Sequence, residues 1–158
     1  MRRLALLALA LAAACSDALE QTSSAGQVIG VVNVSDLSLV SATDFSVTTR
    51  SWPGTTANPT TIAGRGRAFV VTLEQANAVG VSLLVTCPPD PVALCGRRDY
   101  VLPLRAGSEP DGVAIQDDSI AWIANRAHNS VTRLNYFTGD TTNVAAGVFP
   151  REIGRAHV

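Results

Sequence analysis

Residues 110–150 read PDGVAIQDDSIAWIANRAHNSVTRLNYFTGDTTNVAAGVFP, and this stretch decides the fold class. It contains four short segments suited to β-strands, at residues 113–115, 120–124, 131–136 and 141–145, separated by turns rich in Asp, Asn, Ser and Gly. The second segment is almost entirely apolar, as expected of a strand that is buried on both faces. Four short strands in about 40 residues fit one blade of a β-propeller.

The same order of features occurs earlier in the chain, where residues 59–85 read PTTIAGRGRAFVVTLEQANAVGVSLLV. In both stretches a proline opens a short apolar strand, and an apolar core strand follows, AFVVT at 68–72 and AWIAN at 121–125. Each stretch then contains Asn-x-Val, beginning at Asn77 and at Asn129. Repetition at this spacing predicts stacked β-units rather than one self-contained core.

Four features of residues 110–150 resemble a known repeat: Pro-x-Gly at the start, the AWIAN strand, Asn-x-Val and the Thr138-Gly139 turn. Together they are similar to the YVTN and NHL-type repeats of exported bacterial β-propeller proteins. The match is weaker over residues 59–85, which lack counterparts of Gly112, Asn125 and the Thr-Gly turn. The resemblance implies an all-β fold, a partial β-propeller of four-stranded antiparallel blades.

The repeats divide the chain into blades at about 59–109 and 110–149, with a partial blade at 27–58, so that residues 27–151 form an incomplete propeller. Residues 87–100 are expected to be an insertion between strands. Propellers have at least four blades, so this count indicates a C-terminally truncated fragment.

The last residues are expected to be a sequencing artefact. Residues 153–158, IGRAHV, can be encoded by a widely used adapter sequence, so residues 152–158, including His157, would carry no biology. Any other choice of codons in the nucleotide sequence would contradict this interpretation.

Residues 1–14 have the pattern of a lipoprotein signal peptide, with two arginines followed by an apolar stretch too short to span a bilayer. The string LAAAC at 11–15 resembles a lipobox, which implies lipid attachment at Cys15. It departs from that pattern at Ala12, and a secretory signal cut near Ala14 is the alternative. Residues 15–26 are small and polar, as in a flexible tether. The sequence therefore predicts an exported protein anchored to a bacterial membrane, on its periplasmic or cell-surface side.

If Cys15 carries lipid, two cysteines remain, Cys87 and Cys95, in the segment CPPDPVALC. Outside the cytoplasm such a pair is expected to be oxidised, and closing so short a ring would contribute about 2–3 kcal/mol. The absence of further soft ligands nearby argues against a metal site, and the spacing is not that of a redox-active Cys-x-x-Cys pair. A structural disulfide is the prediction.

Composition excludes several function classes. With 12 basic and 13 acidic residues the chain has no electrostatic footprint for nucleic acid. It contains no nucleophile elbow, phosphate loop or zinc motif. Asp111, Asp117 and Asp118 suggest calcium, but the ligand spacing and glycine of a calcium loop are missing, which favours solvated turn carboxylates. Neither a cofactor nor a metal is predicted.

Arg126, His128 and Asn129 form the candidate ligand-facing loop, because loops of successive propeller blades converge around a central funnel. The alternative for His128 is an ordinary polar turn residue. Trp52 lies in a loop, where it could contact a ligand or cap the core.

The sequence favours a non-catalytic, membrane-anchored β-propeller lipoprotein that binds a protein, a glycan or a small molecule at the funnel. A propeller enzyme of the lactonase, lyase or quinone-dependent dehydrogenase type remains open, with its active-site residues largely in missing blades. A surface adhesin or assembly scaffold is the third class, which further exposed aromatic loops would favour.

The anchoring prediction can be tested by metabolic labelling with radioactive palmitate. Lipidation at Cys15 predicts a labelled wild-type chain and an unlabelled Cys15→Ser variant, because the thiol is the acceptor. Equal labelling of the two chains would contradict it.

Overall fold

The computed structural model describes residues 27–53, 58–87 and 90–154, and for residues 86–87 and 90–95 it describes the backbone alone. The predicted signal peptide, Cys15 and the predicted tether lie outside the described residues, as does His157. Within the described part of the chain, no helix has the length and apolar character needed to cross a bilayer. The elements are β1 (Val28–Val32), β2 (Asp36–Ser41), β3 (Val47–Ser51), β4 (Pro59–Arg65), β5 (Ala68–Leu73), β6 (Ala78–Cys87), β7 (Asp90–Pro103), β8 (Pro110–Ile115), β9 (Ile120–Asn125), a 3₁₀ turn (Arg126–His128), β10 (Ser130–Asn135) and β11 (Thr141–Ala145).

These strands form three antiparallel sheets, each of which follows the chain from one strand to its neighbour. The first sheet has the order β1-β2-β3, the second β4-β5-β6-β7 and the third β8-β9-β10-β11. This arrangement confirms the prediction of an all-β fold built from four-stranded antiparallel units.

Two apolar layers hold the sheets together, one on each face of the second sheet. Val70 of β5 packs toward the third sheet with Ile123 and Leu134. The next residue, Val71, packs toward the first sheet with Leu37. Successive strand residues point to opposite faces, so a strand buried on both faces is expected to be apolar throughout. In β5 every residue except Thr72 is apolar.

Trp52 belongs to the core between the first and second sheets, which answers the question that the sequence left open. It is 3% exposed. A Cβ atom at Gly80 would lie 2.8 Å from the Trp52 ring, so only glycine lets β6 approach the indole this closely. Trp52 is therefore a packing residue and is not exposed for ligand contact.

An asparagine in the left-handed conformation marks the same corner of the second and third sheets. Asn77 and Asn129 both have φ of 50°, a conformation that asparagine tolerates better than other residues with side chains. The Asn77 side-chain oxygen accepts a hydrogen bond from the Glu109 N–H at 3.2 Å, and the Asn129 oxygen accepts one from the Phe149 N–H at 2.9 Å. The backbone oxygens of the two asparagines accept bonds from the N–H groups of residues 104 and 146. Each "asparagine corner" thus ties a turn inside one sheet to the connection that leaves it.

The strand pairing aligns the core strands of the two repeats one residue away from the alignment that the sequence suggested. Leu73 lies opposite the proline that opens β4, and Asn125 lies opposite the proline that opens β8. Leu73, and not Thr72, is therefore the counterpart of Asn125. A one-residue shift in a strand changes the face. Thr72 accordingly donates to the Asp111 carbonyl in the next sheet at 2.8 Å, whereas the Asn125 amide donates to Thr132 in its own sheet at 2.7 Å.

Residues 87–100 are not an insertion between strands, and that prediction was wrong. Cys87 and residues 90–100 belong to a long hairpin in which β6 and β7 pair from Ala78 opposite Pro103 out to Cys87 opposite Asp90. The prolines of the segment suggested a loop, but β7 is the outermost strand, where a missing N–H disturbs no ladder. The side chains of Cys87 and Cys95 lie outside what the structure describes, so the disulfide stays a prediction.

The asparagine corner predicts a specific loss of stability. Asn77→Ala removes the bond to the Glu109 N–H and places alanine at positive φ, so we expect a loss of about 2 kcal/mol in the free energy of unfolding. Asn77→Gly removes the bond but accepts the conformation, and we expect a loss of about 1 kcal/mol. Urea denaturation measures both.

The matched control is Gln75→Ala, because Gln75 is an exposed residue of the same turn. We expect it to change stability by less than about 0.5 kcal/mol. If Asn77→Ala were as mild as the control, the corner would not support the fold.

Candidate functional site

The strand directions give the stacked sheets two ends. The "proline end" is where β4 and β8 begin, at Pro59 and Pro110, and it carries the turns at residues 74–77 and 126–129 and the connection 104–109. The "arginine end" is where β4 finishes at Arg65, and it carries the turns at residues 66–67, 116–119 and 136–140.

A charged cluster lies at the proline end, around the guanidinium of Arg126. One nitrogen of this group lies 2.5 Å from a Glu74 carboxylate oxygen and 3.0 Å from a Glu109 oxygen. Another lies 3.9 Å from an Asp111 oxygen. The four side chains, here called the proline-end cluster, come from a turn of the second sheet, the connection, β8 and a turn of the third sheet.

The cluster carries more negative than positive charge. Three carboxylates against one guanidinium leave an excess of two negative charges. The hydrogen bond that Arg126 donates to the Glu109 carboxylate, followed by the nearby Glu74, Glu109 and Asp111 charges, raises the pKa of Arg126 above its usual value, although burial opposes the shift. Arg126 therefore stays charged and acts as a fixed spacer between acids, while Glu109, at 48% side-chain exposure, remains open to solvent.

The structure gives different roles to the three residues of the candidate ligand-facing loop. Arg126 joins the proline-end cluster, and His128 is half-buried beside Gly107 of the preceding connection. Asn129 forms the asparagine corner, where its side-chain oxygen binds the backbone. Arg126 and His128 thus lie at the end where connections between sheets meet, and Asn129 supports them.

Sequence reasoning missed Glu74 and Glu109 as cluster members, and it missed Ser108. Glu109 has φ of 47° directly before the proline that opens β8. Ser108 is 1% exposed, and its hydroxyl has no hydrogen-bond partner among the described residues. The sequence did contain one signal for the pairing of Glu74 with Arg126: each residue directly follows the last residue of the core strand in its repeat.

The three aspartates considered for calcium do not come together. Asp111 lies at the proline end, whereas Asp117 and Asp118 lie in a turn at the arginine end. Asp117 accepts bonds from the Ser119 and Ile120 N–H groups, both at 2.8 Å, and chiefly the Ser119 bond lowers its pKa. Within residues 27–53, 58–87 and 90–154, no three His, Cys, Asp or Glu side chains gather in a way that could hold a metal ion.

A polar pocket of about 410 Å³ adjoins the cluster along the start of β8. Asp111 lines it, together with Thr61 of β4 and residues 151–153, which pass beside β8. The approach is close, since a Cβ atom at Gly112 would lie 2.3 Å from the Arg151 carbonyl oxygen. Glycine at 112 is therefore a packing requirement, and the pocket extends the cluster along the innermost strands.

No family model matches the chain, and no curated protein matches it. Solved structures do match, each at 15–17% identity. Selenomethionine-substituted virginiamycin B lyase from Staphylococcus aureus aligns with TM-score 0.61 over 80% of this chain and 42% of its own. A streptogramin B lyase gives 0.57, over 76% and 41%. A catalytically inactive histidine-to-alanine variant of the S. aureus enzyme with quinupristin gives 0.54, over 80% and 48%.

The fold is a partial β-propeller. The predicted fold class is thereby confirmed, and β4 and β8, the first strands of the second and third sheets, lie side by side. At these identities the likeness shows the fold alone, and the chain spans less than half the length of the matched structures.

Proposed function

We propose that this chain belongs to a lipid-anchored, non-catalytic β-propeller of the bacterial envelope that binds a ligand at its proline end. The observation that carries the proposal is the proline-end cluster, in which Glu74, Glu109, Asp111 and Arg126 converge from separate chain segments beside the inner strands. Binding sites in proteins commonly lie on loops that a rigid scaffold positions, and these loops are held by the asparagine corners.

The charge of the cluster indicates the chemistry of the ligand. Two uncompensated negative charges favour a ligand with a cationic group that also donates hydrogen bonds, such as an amine or a basic peptide. Because Arg126 already fixes the carboxylates, the site would lose little side-chain freedom on binding. His128 stands at the rim, beside Gly107.

The membrane part of the proposal rests on the sequence. Lipid on Cys15 followed by a flexible segment of residues 16–26 would hold the first strand roughly 20 Å from the bilayer surface on average. At that distance, loops of the propeller could meet ligands bound to or released near the membrane. Export would also allow the Cys87–Cys95 pair to oxidise.

A propeller lyase is the second candidate. It is favoured by the matched structures, which are lyases, and by the position of His128 at the same end as Glu109 and Asp111. An imidazole and a carboxylate can act as acid and base when a substrate lies between them. The adhesin alternative drew on exposed aromatic loops, and Trp52, the example in this chain, is buried.

The ligand-binding proposal predicts saturable binding of spermidine, a small polyamine, to the purified full chain in isothermal titration calorimetry. The double variant Glu109→Gln, Asp111→Asn removes two carboxylate charges while keeping side-chain size, so we expect at least tenfold weaker binding. Asp140→Asn is the matched control, because Asp140 is exposed at the arginine end. Lack of saturable binding, or an equal loss in the control, would contradict the proposal.

Incubation of the purified chain with quinupristin, followed by chromatography of the compound, distinguishes the lyase from a non-catalytic binding protein. A non-catalytic binding protein leaves the compound intact. Conversion by the wild type that is abolished in His128→Ala would establish the second candidate and refute the first.

A further inference from the structure

A second pocket, at the opposite end of the propeller, has charge of the opposite sign. It has a volume of about 510 Å³ and lies at the arginine end between the second and third sheets. Such a volume is within the range of sites for small organic molecules, about 300–1,000 Å³. The residues that define this "arginine pocket" are Arg65, Arg67, Arg98, Leu84, Val85 and Phe137.

The guanidinium groups of the arginine pocket come from three places: the end of β4, the turn after it, and β7. The carboxylate among the described lining residues is Asp118, which lies 3.4 Å from Arg65. The Asp118 side chain is 94% exposed, and ion pairs this exposed contribute little and are readily exchanged for another anion. Arg65 and Arg98 alone, two guanidiniums against the one exposed carboxylate of Asp118, give the described lining an excess of positive charge, in a chain whose net charge is −1.

Arg98 is held in place by an aromatic support. Its guanidinium lies over the Tyr100 ring, 5.6 Å from the centroid. The Tyr100 hydroxyl donates to the Tyr136 carbonyl at 2.6 Å, which joins the two sheets beneath the pocket. The adjacent Arg97 contrasts with it, since its side chain is 4% exposed and bound to Asp99 at 2.7 Å. The Arg97 side chain is buried in an ion pair, whereas Arg98 is exposed and available to a ligand.

The wall of the pocket is apolar. Leu84 is buried, but Val85 is 46% exposed and Phe137 is 57% exposed. Exposed apolar side chains beside paired cations are suited to a molecule that has both an apolar body and an anionic group, because each part finds its complement.

We propose that the arginine pocket binds a small amphipathic organic anion, with Arg65 and Arg98 contacting a carboxylate, sulfonate or phosphate group. Phe137 and Val85 cover the aromatic or short aliphatic body of that ligand. Arg65 releases Asp118 to solvent as the anion binds. The site is separate from the proline-end cluster and does not depend on the function proposed for it.

The test uses 2-naphthalenesulfonate as the probe and the purified full chain in isothermal titration calorimetry. We expect saturable binding at one site and at least tenfold weaker binding of the uncharged analogue 2-naphthol. Arg65→Gln and Arg98→Gln should each weaken binding of the sulfonate at least threefold, and their combination at least tenfold. Phe137→Ala should weaken the sulfonate and the naphthol alike, because it removes contact with the body.

The matched control is Arg105→Gln, which removes an exposed arginine at the proline end. It should leave affinity unchanged, as should the Glu109→Gln, Asp111→Asn double variant. The proposal is overturned by no saturable binding, by equal affinity for sulfonate and naphthol, or by an equal loss in Arg105→Gln. Thermal unfolding of each variant shows whether the fold is retained, which is expected because Arg65 and Arg98 are exposed.

Discussion

The hydrogen bond that the N–H of the residue before a proline donates to an asparagine side-chain oxygen is the constraint on which the rest of this structure depends. At Asn77 it fixes Glu109 in a left-handed conformation, and β8 then begins at Pro110. At Asn129 the same bond fixes Phe149 before Pro150. The bond therefore sets where the chain leaves one blade and in which direction it continues. It also places the Glu109 carboxylate, so the propeller stacking and the proline-end cluster share one cause.

The two ends of the propeller differ in charge, because the turns at each end carry different charged residues. The asparagine corners have the same backbone conformation in both repeats. Most side chains of the corners and of β4 and β8 either pack in the core or bond to the backbone. The turns between them are free to carry charge. Acids collect around Arg126 at the proline end, while Arg65 and Arg98 face one exposed aspartate at the other end. A nearly neutral chain can thus present two sites of opposite sign, separated by the length of a strand.

The repeat pattern was sufficient to predict the all-β fold class and the strands of the third sheet, because proline, apolar alternation and Asn-x-Val act locally. The sequence did not reveal what Asn77 and Asn129 do, since their partners lie 20 or more residues away. It misaligned Thr72 with Asn125, because it matched the core strands from Ala68 and Ala121, whereas the strand pairing makes Leu73 the counterpart of Asn125. It treated the segment around Cys87 as a loop, because composition does not show that β7 is an edge strand. The sequence did not reveal the cluster at Arg126 for the same reason, because its ion pair with Glu74 joins residues that are distant in the sequence and belong to different sheets.

Amide hydrogen exchange, measured by NMR at Glu109 and Phe149, tests the asparagine corner most directly. Glu109 lies in the connection between the second and third sheets, and Phe149 follows the last strand of the third sheet. We nevertheless expect both amides to exchange at least tenfold more slowly than an exposed amide such as that of Gly107. Substituting Asn77 by alanine should release the Glu109 amide while leaving Phe149 protected. Exchange at both amides as fast as at Gly107 would contradict the account, because the blades would then be held together without the corners.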